Sequence, residues 1–556
     1  MALLSRLPSG LEDAEALLKR RAAAENKKNL WRSLYRDAYL YAMPSRETFT
    51  WHTEGQYRNN RLFDSTLQEA TYTAANTLCA LLFPSWVEWV QLAPGAAMTP
   101  DALEQHPEIL EGLQKATKTF FHYLNASNFN TVISEAALDL QVGTAALDFN
   151  EGEHDNPFEF ESIPTSVLEL EEGPRGTIET TWMERCPEAR NLLRLYPGLE
   201  MFDLPAQTQE TIKTSPEKKV TLIEGQIYDP ETKKFYGVVI DKNGPTIIWR
   251  YEFGPSNPRI VGRASKTAGE TYGRGRVLLA LSDARTLDRI VEFELTNLAL
   301  AVAPPMTGVS DGVLNPYTAS LTPNTIIPVA SNADNSPSLR PLEFGGNFQL
   351  SETRVQKLQE RVRRTMLGPE PSEGPVKSAT EISVADRNRL WAMNGEYTRI
   401  QAELLDKIVK RGVYILQKKG LMPKFKLDGK DVTVKYTSPF ATTQNASEIL
   451  ALQETLQLLG PGGPMGPQAG SAAIGTGLNM QKLPAYVARL KGLPESLIMT
   501  DEDKQKLVET SMKAQQAMQA NQQQHAGGMA AAQAQGEMAG TGGGAPPGGP
   551  APVPAQ

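Results

Sequence analysis

The part of the chain that most restricts its fold lies between Arg276 and Gly420, where three long helical patterns are separated by two abrupt interruptions. The first pattern runs from Arg276 to Val302 and carries Leu278, Leu281, Leu287, Ile290, Val291 and Leu298. At 1.5 Å per residue it is about 40 Å long. Pro304-Pro305 break it, because proline lacks the amide and clashes with the preceding turn. Residues Met306 to Gly346 then hold many Pro, Asn, Gly and Ser, with β-prone pieces such as Thr325–Val329. That stretch is far longer than an ordinary connection. A second helix is predicted from Gln349 to Leu367, ended by Gly368-Pro369. After the loop GPEPSEGPVK, Ser378 and Glu381 form a capping box in which each side chain bonds the other residue's spare amide. Leu390, Met393, Tyr397, Ile400, Leu404 and Ile408 follow at spacings of three and four, so one face of this third helix is buried. It extends about 60 Å before Gly420 and Pro423 close it.

Upstream, the first 90 residues read as mainly helical, with Leu17, Leu18, Leu30, Leu34 and Leu40 set among charged residues. Met43-Pro44 ends that segment, since the residue before proline is pushed out of helical geometry. A second run spans Ser65 to Phe83. Trp86–Leu92 alternates in the manner of a strand, and helices are expected over Asp101–Leu124 (after Thr99-Pro100) and Val132–Asp148. From Phe158 to Phe253 the texture changes to β-branched segments divided by turn residues, among them Val220–Tyr228, Tyr236–Asp241 and Thr246–Tyr251, which read as hairpins. Beyond the third long helix come a strand at Val432–Tyr436 and helices at Ala446–Leu459 and Lys482–Lys491. From Ser511 to Gln556 the sequence becomes Gln, Ala, Met, Gly and Pro, and its last 20 or so residues are expected to be disordered. The fold class implied is α+β, mainly α, with a β-rich insertion.

Composition narrows the function. In 556 residues, 56 Lys+Arg face 64 Asp+Glu, giving a formal net charge of -8. This balance argues against a tight, sequence-reading nucleic-acid binder, which would concentrate basic surface. Cys79 and Cys186 are too far apart in sequence to suggest a disulfide framework, and Cys79 lies in an apolar stretch. Met1–Gly10 lacks the apolar core of a secretory signal. There is no uninterrupted apolar run long enough to span a membrane, so no membrane partner is expected.

Catalytic motifs are weak. A phosphate-binding loop needs GxxxxGK followed by Ser or Thr, but Gly429-Lys430 is followed by Asp431. Gly308–Gly312 matches GxSxG with Ser310 at its centre. Prolines flank it, however, and the only downstream histidine is His525, so a polar turn is expected rather than a nucleophile. Asp148, Asn150, His154, Asn156 and Glu159 resemble a calcium loop. Gly152 and Glu153 occupy positions that should hold a ligand and the turn glycine, which favours an acidic hairpin loop. No metal, cofactor or enzymatic activity is expected. More informative are Arg354, Lys357, Arg361 and Arg364, which recur at three, four and three and form one stripe. Val355, Leu358, Val362 and Met366 form a second stripe about 100° round the helix. The basic stripe is either a solvated or ion-paired face, or a surface facing phosphates without base specificity.

The order of elements resembles the portal proteins, or head-to-tail connectors, of tailed bacteriophages, especially those of short-tailed podoviruses. Leu34–Pro44 (LYRDAYLYAMP), Thr77–Trp86 (TLCALLFPSW), Glu270–Arg276 (ETYGRGR) and Ser378–Ile382 (SATEI) are similar to that family's segments, with Ser378 standing where threonine is usual. The likeness runs from about Leu11 to Lys506. It implies a non-enzymatic ring of about twelve copies at one capsid vertex, in the virion, assembled in the host cytoplasm. By this resemblance residues 1–274 are the wing, 275–302 and 347–367 the stem helices, and 303–346 the clip. Residues 368–377 are the channel loop (Gly368, Pro369, Glu370, Pro371, Ser372, Glu373, Gly374 and Pro375, then Lys377). Residues 378–440 form the long wing helix and strand, 441–510 the crown, and 511–556 a flexible tail. Implied partners are double-stranded DNA passing non-specifically, the terminase large subunit, tail adaptor and capsid proteins, and internal core proteins. Arg354, Lys357, Arg361, Arg364 and Lys377 become the candidate DNA-facing residues. Another phage virion protein, a tail adaptor or an internal core protein, is the competing reading.

Overall fold

The computed structural model describes residues 7–438 apart from 9, 54, 57, 59–61, 97–106, 154, 243, 303–305, 309–338, 342–347, 369–393, 428 and 430, together with 486–487. The chain divides into two units, residues 1–441 and 442–556, and the first holds all the described elements except residues 486–487.

Helix α1 spans Ala14–Ala42 and starts where the Asp13 carboxylate accepts a hydrogen bond from the Glu15 amide. It ends at Met43, immediately before Pro44, as the pre-proline restriction requires. Helix α2 covers Thr66–Leu82. Strand β1, Val90–Pro94, lies later than the alternating Trp86–Leu92 pattern suggests, and Trp86 is exposed. Helices α3 (Pro107–Ala126) and α4 (Phe129–Val142) follow.

The single helix expected over Val132–Asp148 is corrected here: α4 stops at Gly143, and Thr144–Glu151 is strand β2. Gly143 ends the helix with a non-helical backbone at φ 156°, and only glycine fits there because a Cβ would lie 2.2 Å from the Gly273 carbonyl oxygen. Strand β2 pairs with β3 (Phe158–Ile163) on one side and with β9 (Arg259–Arg263) on the other. The intervening hairpins form a five-stranded antiparallel sheet in sequence order: β4 (Leu168–Glu172), β5 (Ile178–Arg185), β6 (Leu222–Asp229), β7 (Lys234–Asp241) and β8 (Thr246–Gly254). Between β5 and β6 the short helices α5 (Leu192–Leu195) and α6 (Ala206–Thr214) occur. Leu192, Tyr196 and Leu204 from this region cluster with Val239, Trp249 and Tyr251 of the sheet. Leu11, just before α1, and Leu17, in its first turn, cluster instead with Trp182, Ile223 and Val238.

Two long helices leave this body: α7, Arg276–Val302, and α8, Phe348–Leu367. Just beyond α7, β10 (Met306–Gly308) pairs antiparallel with β11 (Leu339–Pro341), which brings the two ends of the intervening segment together. Of the third long pattern, α9 (Asn394–Ile400) and α10 (Asp406–Lys418) are described. They are joined by a π-helical turn, Gln401–Leu405, that the regular sequence spacing does not disclose. Tyr397, Ile400, Leu404 and Ile408 are all buried, as the spacing predicts. Strand β12, Val432–Tyr436, has the predicted bounds and pairs with β1.

The capping box at Ser378, Leu390, Met393, Val309–Gly312, Thr325–Val329, Thr99-Pro100, helix Ala446–Leu459, most of Lys482–Lys491 and residues 511–556 lie outside the described residues. Among the described residues no helix is long and apolar enough to cross a membrane.

Candidate functional site

Helices α7 and α8 run antiparallel, as their cross-contacts show: Asp283 meets Arg361 near the body, and Glu294 accepts a bond from Ser351 farther out. The body-proximal half of α7 is built as core. Val277, Ala280, Leu281, Ala284 and Leu287 are all buried, and each large aliphatic side chain there stabilises by about 1.5–3 kcal/mol. Ala284, Leu287, Val291, Leu295 and Leu298 continue one stripe at spacings of three, four, four and three. Along it the cover fails. Ala284 and Leu287 are buried and Val291 is half-buried, whereas Leu295 and Leu298 are 49% and 53% exposed. Phe293, on another side of the same turns, is 52% exposed.

On α8 the apolar stripe packs as expected. Val362 and Met366 join the cluster that holds Tyr35, Tyr39, Val277 and Leu281, while Val355 and Leu358 are half-buried. Arg354, Lys357, Arg361 and Arg364 are all exposed on the adjoining face. Arg361 is committed in part: its Nε donates to Asp283 at 2.7 Å, and this bond pushes its pKa above the ordinary arginine value. Arg363, also exposed, adds a positive charge off the stripe. The helix ends at Gly368, whose φ of 85° is left-handed and whose amide bonds the Arg364 carbonyl at 3.0 Å. Of the remaining candidates, Pro369–Pro375 and Lys377 lie outside the described residues.

A junction of small residues fixes where α7 leaves the body. The Tyr35 hydroxyl donates to the Gly273 carbonyl at 2.5 Å, and the Gly273 amide donates to Thr144 Oγ1 at 2.8 Å. The Gly275 amide bonds the Val142 carbonyl at 2.9 Å. Arg274 is bidentate to Glu270 and sits 4.9 Å over the Trp31 ring. Arg276 is only 8% exposed; its Nε donates to Glu396 at 2.8 Å and its Nη1 to the Met366 carbonyl at 2.9 Å. Sequence reading singled out the ETYGRGR segment as the opening of a helix and missed the reach of Arg276 to two other helices. An arginine at a helix start with no acid three or four residues away was the available signal.

The motifs set aside on the sequence have other occupations. Asp148 is buried and accepts a bidentate pair from Arg259 at 2.9 Å to each oxygen, and Asn150 and Glu159 face each other across the β2–β3 ladder. His154 lies outside the described residues. His52 pairs with Glu47 at 2.8 Å. Burial pushes the Cys79 thiol up to about 11, which leaves it a poor nucleophile. Among the described residues no group of three or more His, Cys, Asp or Glu is placed to hold a metal ion.

A family model described as bacteriophage head to tail connecting protein matches residues 14–499. No curated protein sequence matches the chain. Among solved structures, a chain in the virion of the native gene transfer agent (GTA) particle is 12% identical with a TM-score of 0.34; the likeness covers 80% of this chain and 95% of that one. A chain in the neck of the empty GTA particle, computed with C6 symmetry, is also 12% identical over the same shares, with a TM-score of 0.35.

Proposed function

Because the chain belongs to the bacteriophage head-to-tail connecting proteins, we propose that it is the portal subunit of a short-tailed phage, closing with about eleven copies of itself into a ring at one capsid vertex. In this reading α7 and α8 are the stem, residues 303–346 the clip, 1–274 the wing, 368–377 the channel loop, 378–440 the long wing helix and strand, and 441–510 the crown. DNA enters through the ring during packaging and leaves through it during ejection. The clip docks the terminase large subunit first and a tail adaptor afterwards, and the motor, not this chain, supplies the energy.

The observation that carries the proposal is the α7 stripe. A helix whose core-facing stripe continues for two turns past its own body leaves Leu295 and Leu298 only half covered. Exposed apolar stripes of this kind are covered by association, and a head-to-tail contact whose rotation closes on itself gives a ring. The exposed face of α8 supports the channel. A formal -8 per subunit sums to roughly -96 over twelve copies, which repels DNA from most surfaces. Arg354, Lys357, Arg361 and Arg364, with Lys377 of the channel loop, then form local positive rings that touch phosphates without reading bases.

Negative-stain microscopy with mass measurement on the purified protein tests this reading. The expected particle is a closed ring of about twelve copies with a central hole. Fibres, or a closed assembly without a hole, would move the assignment to a tail adaptor or an internal core protein.

A further inference from the structure

Three helices meet on one guanidinium. Arg276 stands at the first turn of α7 and is nearly buried, yet neither of its strong bonds stays on its own helix. Nη1 donates to the carbonyl of Met366, in the last turn of α8, one of the carbonyls that an α-helix leaves unpaired at its C-terminus. A positive side chain there also opposes the negative end of the helix dipole. Nε donates to Glu396 of α9, whose side chain is 29% exposed. Tyr397 and Ile400, on the same stretch as Glu396, line a small crevice with Ala74, Leu78, Leu140 and Arg276, so the pair sits at the edge of packed apolar surface. Behind Arg276 the backbone cannot give: a Cβ on Gly275 would lie 2.1 Å from the Gln141 carbonyl oxygen. The guanidinium therefore has a fixed root and reaches from it to two other helices.

We propose that Arg276 is a latch coupling the end of α8 to α9, with Glu396 holding the guanidinium in the position from which it caps Met366. A change at Glu396 is then felt in the last turn of α8, although the two residues share no bond. The coupling is a property of the body alone and stands apart from the portal reading, because its test measures neither ring formation nor DNA.

Hydrogen exchange read by mass spectrometry on the full-length protein decides it. In Glu396→Gln the amides of Met366, Leu367 and Gly368 should exchange about tenfold faster, the scale set by losing a charge-assisted bond, while β2 and β6 stay as in the parent. Arg276→Gln should give the same pattern, together with faster exchange in Tyr397–Ile400. Should either variant fold poorly, Glu396→Asp keeps the charge but shortens the reach by one methylene and should show a smaller rise at the same amides. Unchanged exchange at Met366–Gly368 in Glu396→Gln would overturn the latch, because Met366 would then be capped without help from α9. A uniform rise that includes β2 and β6 would overturn it as well, since Glu396 would be acting on the whole body.

Discussion

At Gly143 and Gly273 two stretches of backbone approach so closely that each occupies the space of the other's side chain. A Cβ on either glycine would lie 2.2 Å from the other's carbonyl oxygen, and the obstacle is backbone, which cannot rotate away. Gly143→Ala should therefore cost about 3 kcal/mol, at the upper end of overpacking penalties, as read by urea unfolding. A loss under about 0.5 kcal/mol, typical of a surface site, would show that the junction yields. Lys28 makes a different residue-scale prediction. Burial pushes its ammonium down to about 8 from an ordinary 10.5, and its amine donates to the Ser166 carbonyl. Between about pH 8 and 10.5 the unfolded chain holds the proton and the folded chain does not, so stability from this group rises with pH across that window. The stability difference between the parent and Lys28→Met should therefore grow in the parent's favour from pH 8 to 10; a flat difference would mean that Lys28 keeps its ordinary pKa when folded.

At the scale of the element, α8 divides into two faces with separate work. Val362 is fully buried, so Val362→Ala should destabilise by about 1–3 kcal/mol. Arg354 and Lys357 are exposed and have no role in the core, so Arg354→Glu with Lys357→Glu should leave unfolding within about 0.5 kcal/mol of the parent. If the stripe faces DNA, that double variant should assemble and yet lower the amount of DNA packaged per particle; full packaging would reduce the stripe to a solvated face. The two stripes could be read from the sequence because a helix exposed on one side keeps its period. The strand β2 could not. Thr144–Leu147 is buried on both faces, paired with β9 throughout and with β3 from Ala146, so TAAL shows no alternation and passes for the last turn of α4. The π-helical turn at Gln401–Leu405 was hidden for a related reason. Tyr397, Ile400, Leu404 and Ile408 keep helical spacing across it, while the turn aims Glu403 at the amide and guanidinium of Arg263. Contacts like these, or that of Arg276 with Met366, join residues 90 or more positions apart and leave no trace in local pattern.

For the whole molecule the question is what covers the far half of α7. Its stripe of Ala284, Leu287, Val291, Leu295 and Leu298 is continuous in sequence, but the body covers only its first part. Leu295 and Leu298 contribute little to the fold of one copy, since about half of each side chain already meets solvent. Their removal from water has to come from association, at about 25 cal/mol for each Å² buried. Leu295→Glu with Leu298→Glu should then leave the thermal midpoint of the separated subunit within about 2 °C of the parent, as for a surface change. The same double variant should lose the closed ring, which mass measurement and negative-stain images report together. The more conservative Leu298→Ala should weaken assembly without abolishing it, so that rings form only at higher protein concentration. If the glutamate pair still closes into rings of parental mass, subunits join through some other surface, and the uncovered stripe must then be assigned to a partner that docks on the finished ring.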